Sequence, residues 1–264
     1  MKKTLWIYGD SFGVDWKVDW GWQRLLANKL ADDYFPNLRV VNNCCSGSAN
    51  DWGAKLFKND KQEKGDLVIF FLTDTARQWF WQDKPYLSNL TNILKTRDAK
   101  ELESADKDKY DAAMGYWLHL QRDDIDQLRF EHMLDSIRVQ MIERELHLQI
   151  IPSFNLNINW TDLVPCHGSM TFSVGDAEFT DRNEMEKWYD QSIDTRANHM
   201  LQINHSVFAD KLYKRFTKNE PVNLETEFKI GFLRHTDKLT HPGLCDELIE
   251  MAKAPGNTIP KHLL

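Results

Sequence analysis

Hydrophobic positions change their rhythm repeatedly over the first 72 residues, and the changes read as alternating strands and helices. Leu5 to Tyr8 is a short apolar run that stops at Gly9-Asp10-Ser11. Gln23 to Tyr34 carries Leu25, Leu26 and Leu30 at helical spacing, and Pro36-Asn37 ends it. Leu38 to Asn42, around Val40-Val41, predicts a second strand. Ala49 to Phe57 predicts a short helix with Ser48 or Asn50 as its cap. After Asp66 the chain is apolar without a break to Leu72, the pattern of a strand buried on both faces. Strand, helix, strand, helix, strand in this order predicts a parallel sheet.

The pattern is less regular further on. Arg97 to Asp111 is dense in charge and reads as a solvated helix or loop. Ile125 to Leu146 predicts a long amphipathic helix, with Ile125, Leu128, Leu134, Ile137, Met141 and Ile142 as its apolar positions. Leu148 to Ser153 predicts a fourth strand, with Pro152 suited to its end. Asn198 to Phe216 predicts a helix bearing Phe208, Leu212 and Phe216. Phe228 to Leu233 predicts an edge strand, and Pro242 to Lys253 a last helix. The expected fold is therefore a three-layer α/β/α sandwich around a mostly parallel central sheet. It would form a single domain over residues 1–264, with insertions at about 78–123 and 154–193 and an extended tail at about 254–264.

Composition narrows the classes of partner. The chain has 264 residues, 42% of them apolar, enough for a full core in one large domain. Its net charge of −7 does not favour a phosphate backbone, so no nucleic-acid partner is expected. No apolar stretch reaches membrane-spanning length, so no membrane partner is expected. The run after Met1-Lys2-Lys3 is too short for a signal peptide, which points to a cytoplasmic or virion-associated location. Cys44, Cys45, Cys166 and Cys245 form no CxxC pair and read as reduced thiols. With no HExxH and no Walker loop either, neither a metal nor another cofactor is expected.

The chemistry is concentrated where the first three strands end, on one edge of the predicted sheet. The first loop carries Gly9, Asp10 and Ser11. The second carries Ser46-Gly47-Ser48-Ala49-Asn50, and the third Thr73-Asp74-Thr75-Ala76-Arg77. A serine at a strand end needs a histidine base from elsewhere in the chain to act as a nucleophile. Two histidines precede predicted helices: His199, with Asp194 five residues before it, and His241, with Asp237 four before it. His199 is preferred, because it follows the fourth strand and its insertion. His205 reads as a helix-surface or packing residue.

This set resembles the SGNH (GDSL-type) hydrolase superfamily, in a divergent, phage-like version. The resemblance implies Ser11 as nucleophile in the Gly-Asp-Ser block and the backbone of Gly47 as an oxyanion donor. It implies His199 with Asp194, or His241 with Asp237, as base and orienting carboxylate. The family shows an asparagine after its third strand. Here Leu72-Thr73-Asp74-Thr75 stands in that place, so Thr73 or Arg77 would complete the oxyanion hole. Asp10 belongs to the same substrate-facing set. The family's Asp-x-x-His spacing is also absent. The implied activity is hydrolysis of an ester by acyl transfer to serine.

Trp16, Trp20, Trp22, Trp52, Trp79 and Trp81 fall in or just after these loops. They either pack the insertions against the core or offer stacking faces to a sugar or aromatic ester. The substrate is expected to be a small-molecule or glycan ester. The other reading is a non-catalytic binding or structural module of the same fold, for example phage-associated.

Overall fold

Strands β1 (Thr4–Gly9), β2 (Arg39–Cys44), β3 (Leu67–Leu72) and β4 (His147–Pro152) pair in parallel, in the spatial order β2–β1–β3–β4. The computed structural model describes residues 3–15, 19–80, 85, 104–170, 177–178, 202–228 and 233–234. Leu5 lies opposite both Val40 and Leu67, and Phe70 opposite Ile150, so the apolar centres of the strands are in register. β2 and β3 flank β1 on opposite sides. The winding of the sheet therefore reverses at β1, and the carboxyl ends of β1 and β3 border that switch point, where open α/β sheets take their ligands.

Alternate residues of each strand serve opposite faces. Leu5, Ile7, Ile69 and Phe71 pack against α1 (Trp22–Asp33) and α5 (Gln202–Lys218) through Trp22, Leu26, Leu30, Phe208 and Leu212. Tyr8, Val68, Phe70 and Leu72 pack against α2 (Asn50–Asn59) and α4 (Asp123–Glu143) through Phe57, Phe130, Leu134 and Ile137. The result is a mostly parallel sheet flanked by helices on both faces. Every residue of β3 is buried, as its unbroken apolar run implies.

Several elements depart from the sequence pattern. Neither Ser48 nor Asn50 caps α2: Ala49 holds the cap position, because both polar side chains are drawn to neighbouring strands. The charge-dense segment contains a helix, α3 (Ser104–Gly115), which runs on as a π-helical turn over Tyr116–Leu120. The apolar positions of α4 do not form one face. Phe130, Leu134 and Ile137 are buried, whereas Ile125, Leu128 and Ile142 face outward. Near the expected edge strand, two short pairings occur: β5 (Cys166–His167) with β7 (Val222–Asn223), and β6 (Ala177–Glu178) with β8 (Leu233–Arg234). Trp16, Trp81, Asp194, His199, Asp237, His241, Cys245 and the predicted last helix lie outside the described residues.

Candidate active site

Gly9 ends β1 with φ +127°, a backbone conformation that side-chain-bearing residues rarely adopt. The turn it makes delivers Asp10 and Ser11 to the carboxyl edge of the sheet, with Asp10 buried and Ser11 half-buried. Asp10 organises this turn. One carboxylate oxygen accepts the Phe12 N–H and the Ser153 hydroxyl, both at 3.2 Å. Ser153 directly follows β4, so the carboxylate ties the first loop to the end of the fourth strand.

The second loop closes over the first. The Cys45 N–H and the Ser48 hydroxyl both donate to the Gly9 carbonyl, at 3.0 and 3.1 Å. Gly47 sits between them with φ +73°. The third loop completes the ring. Arg77 Nη1 lies 3.4 Å from the Ser48 carbonyl, to which it donates, and 3.8 Å from the second oxygen of Asp10. Its guanidinium faces the Phe154 ring at 5.3 Å. The loops that carry Asp10, Ser48 and Arg77 thus meet at one edge of the sheet, and Ser153 and Phe154 join them from a fourth.

Thr73 follows β3 and is 1% exposed, and its hydroxyl has no hydrogen-bond partner among the described residues. Its backbone is held by a residue the sequence pattern did not assign to the site. The Asn50 amide donates to the Thr73 carbonyl and accepts the Thr73 N–H, both at 2.8 Å. Asn50, the first residue of α2, thus holds the backbone just after β3 through both atoms of its amide. Asn50→Ala would strand two buried backbone groups, each costing about 1–3 kcal/mol. Urea denaturation of this variant is expected to show a loss of about 3 kcal/mol, and an unchanged midpoint would contradict the clamp.

Loop three is also anchored at its far end. Asp126, buried in the first turn of α4, accepts Gln78 Nε2 at 2.8 Å and Gln121 Nε2 at 2.9 Å, and Arg129 lies 3.3 Å away. The tryptophans divide. Trp22 is a core residue whose ring meets Phe71 and Phe208. Trp52 and Trp79 meet edge to face at 5.1 Å beside loops two and three.

On the α5 side, the chain is described from Gln202 to Phe228. The Trp22 N–H, at the start of α1, donates to His205 Nδ1 at 3.1 Å, and the Trp20 ring meets the imidazole edge to face. The Trp22 indole donates to the Phe12 carbonyl at 3.3 Å. The first turns of α5 thus connect to the residue after Ser11 through one tryptophan. His205 is buried, so of the two readings of it, helix surface or packing, the structure takes packing.

The cysteines near the site are weak rivals as nucleophiles. Burial, then the negative charge of Asp10, pushes the Cys44 thiol well above the ordinary range, and burial raises Cys45 as well. Among the described residues no group of three His, Cys, Asp or Glu side chains is placed to hold a metal ion. No helix among them is long and apolar enough to cross a membrane.

No family model and no curated protein matches the chain. Solved structures similar to it include the psychrotrophic esterase EstA from Pseudoalteromonas sp., 10% identical, with 82% of this chain and 97% of EstA covered at a TM-score of 0.40. TesA is 18% identical, with 58% of this chain covered at a TM-score of 0.32. The chain spans 62% of TesA's own length. A member of the lipolytic protein G-D-S-L family from Veillonella parvula is 13% identical, with 58% of this chain and 79% of that one covered at a TM-score of 0.22.

Proposed function

We propose that the protein is a serine hydrolase of the SGNH type that cleaves a carboxylic ester by acyl transfer to Ser11. The observation that carries this reading is the position of Ser11. It stands on a turn at the switch point of the parallel sheet, with loops after β2 and β4 hydrogen-bonding to its two preceding residues and Arg77 of the loop after β3 lying 3.8 Å from Asp10. Ser11 Oγ attacks the ester carbonyl, and its proton passes to a histidine, which later returns it to the leaving alcohol. The carbonyl oxygen becomes an oxyanion that needs preorganised donors. The backbone N–H groups of Ser11 and Gly47 are proposed for that role, with the Thr73 hydroxyl and the Arg77 guanidinium beside them. Asp10 is a carboxylate, so its proposed role is to set the turn rather than to hold the oxyanion. Water attacks the acyl-enzyme and releases the acid.

His199 is the proposed base, oriented by Asp194. It precedes Gln202, the first residue of α5, by three residues, a reach of about 10 Å for an extended chain. The beginning of α5 is itself coupled to Phe12 through Trp22. A carbohydrate ester is the proposed substrate class, supported by the presence of the Trp52–Trp79 pair beside the loops, since indole rings stack on sugars.

Labelling with a fluorophosphonate tests the reading. The wild-type protein is expected to label at Ser11, and a protein that does not label is instead a binding module of this fold. His199→Ala is expected to slow labelling by at least about 10²-fold, the usual scale of a general base. If His241→Ala slows it and His199→Ala does not, the base is His241, with Asp237 beside it in sequence.

A further inference from the structure

The outer face of α4 carries large apolar side chains that are exposed among the described residues. Ile125 is 41% exposed, Leu128 47%, Val139 52% and Ile142 58%. With His132 and Asp135, also exposed, they form one row spaced three, four, three, four and three residues apart. This is the spacing of a helix–helix seam, and it lies away from the face that Phe130, Leu134 and Ile137 turn to the sheet.

The row reads the same in both directions. About the midpoint between Met133 and Leu134, Ile125 corresponds to Ile142, Leu128 to Val139, and His132 to Asp135. An isologous contact needs such a surface, since each residue must meet its counterpart under a twofold axis. We propose that α4 docks antiparallel on the α4 of a second copy of this chain. Apolar side chains then meet apolar ones at both ends of the seam, and at the centre His132 of each copy meets Asp135 of the other. Asp135 is available for this. Its side chain is 62% exposed although one oxygen is held by Arg138 at 2.6 Å.

The complementarity of His132 with Asp135, and of the apolar ends with each other, selects a second copy over an unrelated helix. A 21-residue helix is about 31 Å long. A contact of that length lies at the small end of specific interfaces, so the dimer is weak and concentration-dependent. This inference does not depend on the hydrolase reading, since it concerns a face built from other residues.

Sedimentation velocity of the full chain tests it. Dimer is expected at about 100 µM and monomer by about 1 µM. Val139→Asp and Ile142→Asp each place a carboxylate in an apolar layer and are expected to weaken association at least about tenfold. Both positions are solvent-exposed, so the thermal midpoint should hold and would confirm that the variants fold. His132→Asp alone sets acid against acid at the centre and weakens the dimer, whereas adding Asp135→His restores the opposite pairing and the association. A monomer at every concentration overturns the proposal, as does a dimer indifferent to Val139→Asp and Ile142→Asp. A double variant no stronger than His132→Asp overturns the antiparallel register.

Discussion

Ser11→Ala is expected to abolish fluorophosphonate labelling and to lower ester hydrolysis by at least about 10⁴-fold, the scale on which loss of a nucleophile acts. The alanine removes only Oγ. The backbone of the turn, held by Asp10 to Phe12 and Ser153, keeps its shape. Thermal denaturation should therefore shift little, which separates lost chemistry from lost fold. Ser153 also lies near Asp10 but is buried beneath it, with its hydroxyl donating to the carboxylate, so it cannot substitute as the nucleophile. A Ser11→Ala protein that labels or hydrolyses like the wild type would refute the assignment.

Gly9→Ala is expected to destabilise the fold by about 4 kcal/mol or more, or to prevent folding, because strain and overpacking act together. A Cβ at Gly9 would stand 2.5 Å from the Phe71 carbonyl oxygen and 2.6 Å from the Phe71 Cβ. Neither neighbour can yield cheaply. Phe71 is in the middle of the sheet, 0% exposed, between paired strands and under the Trp22 ring. The positive φ adds its own cost. Gly115→Ala provides the contrast: a Cβ there meets nothing within 4 Å, so alanine at this helical position should be neutral or stabilising by about 0.5–1 kcal/mol. Urea denaturation of the two variants checks both signs. Equal midpoints would contradict the close approach of β1 to β3.

Much of the core was legible because its signals are local. The apolar run after Asp66 declares a strand buried on both faces, and it is β3. Pro152 was assigned to a strand end and forms the last residue of β4, where its missing N–H costs no interior ladder bond. The Gly-Asp-Ser turn was legible for the same reason: an apolar run broken by a glycine is visible within a few residues. On α4, periodicity alone misled. Ile125 and Leu128 count as apolar in a helical pattern, but only packing shows that the sheet takes Phe130, Leu134 and Ile137 instead.

What the chain's order of residues determined by itself is the four central strands, the main helices between them and the delivery of Ser11, Gly47 and Thr73 to strand ends, since propensity, periodicity and turn chemistry act over short spans. What only the tertiary structure decided is which groups meet there. Ser153 reaches Asp10 across 143 positions of sequence, Arg77 joins them from the third loop, and Asn50 clamps Thr73 from a helix 23 residues earlier. Those contacts exist because the strands assemble in the order β2–β1–β3–β4, which brings four separate loops to one edge. Pairing order is settled by burial and register between distant segments, and no local pattern encodes it.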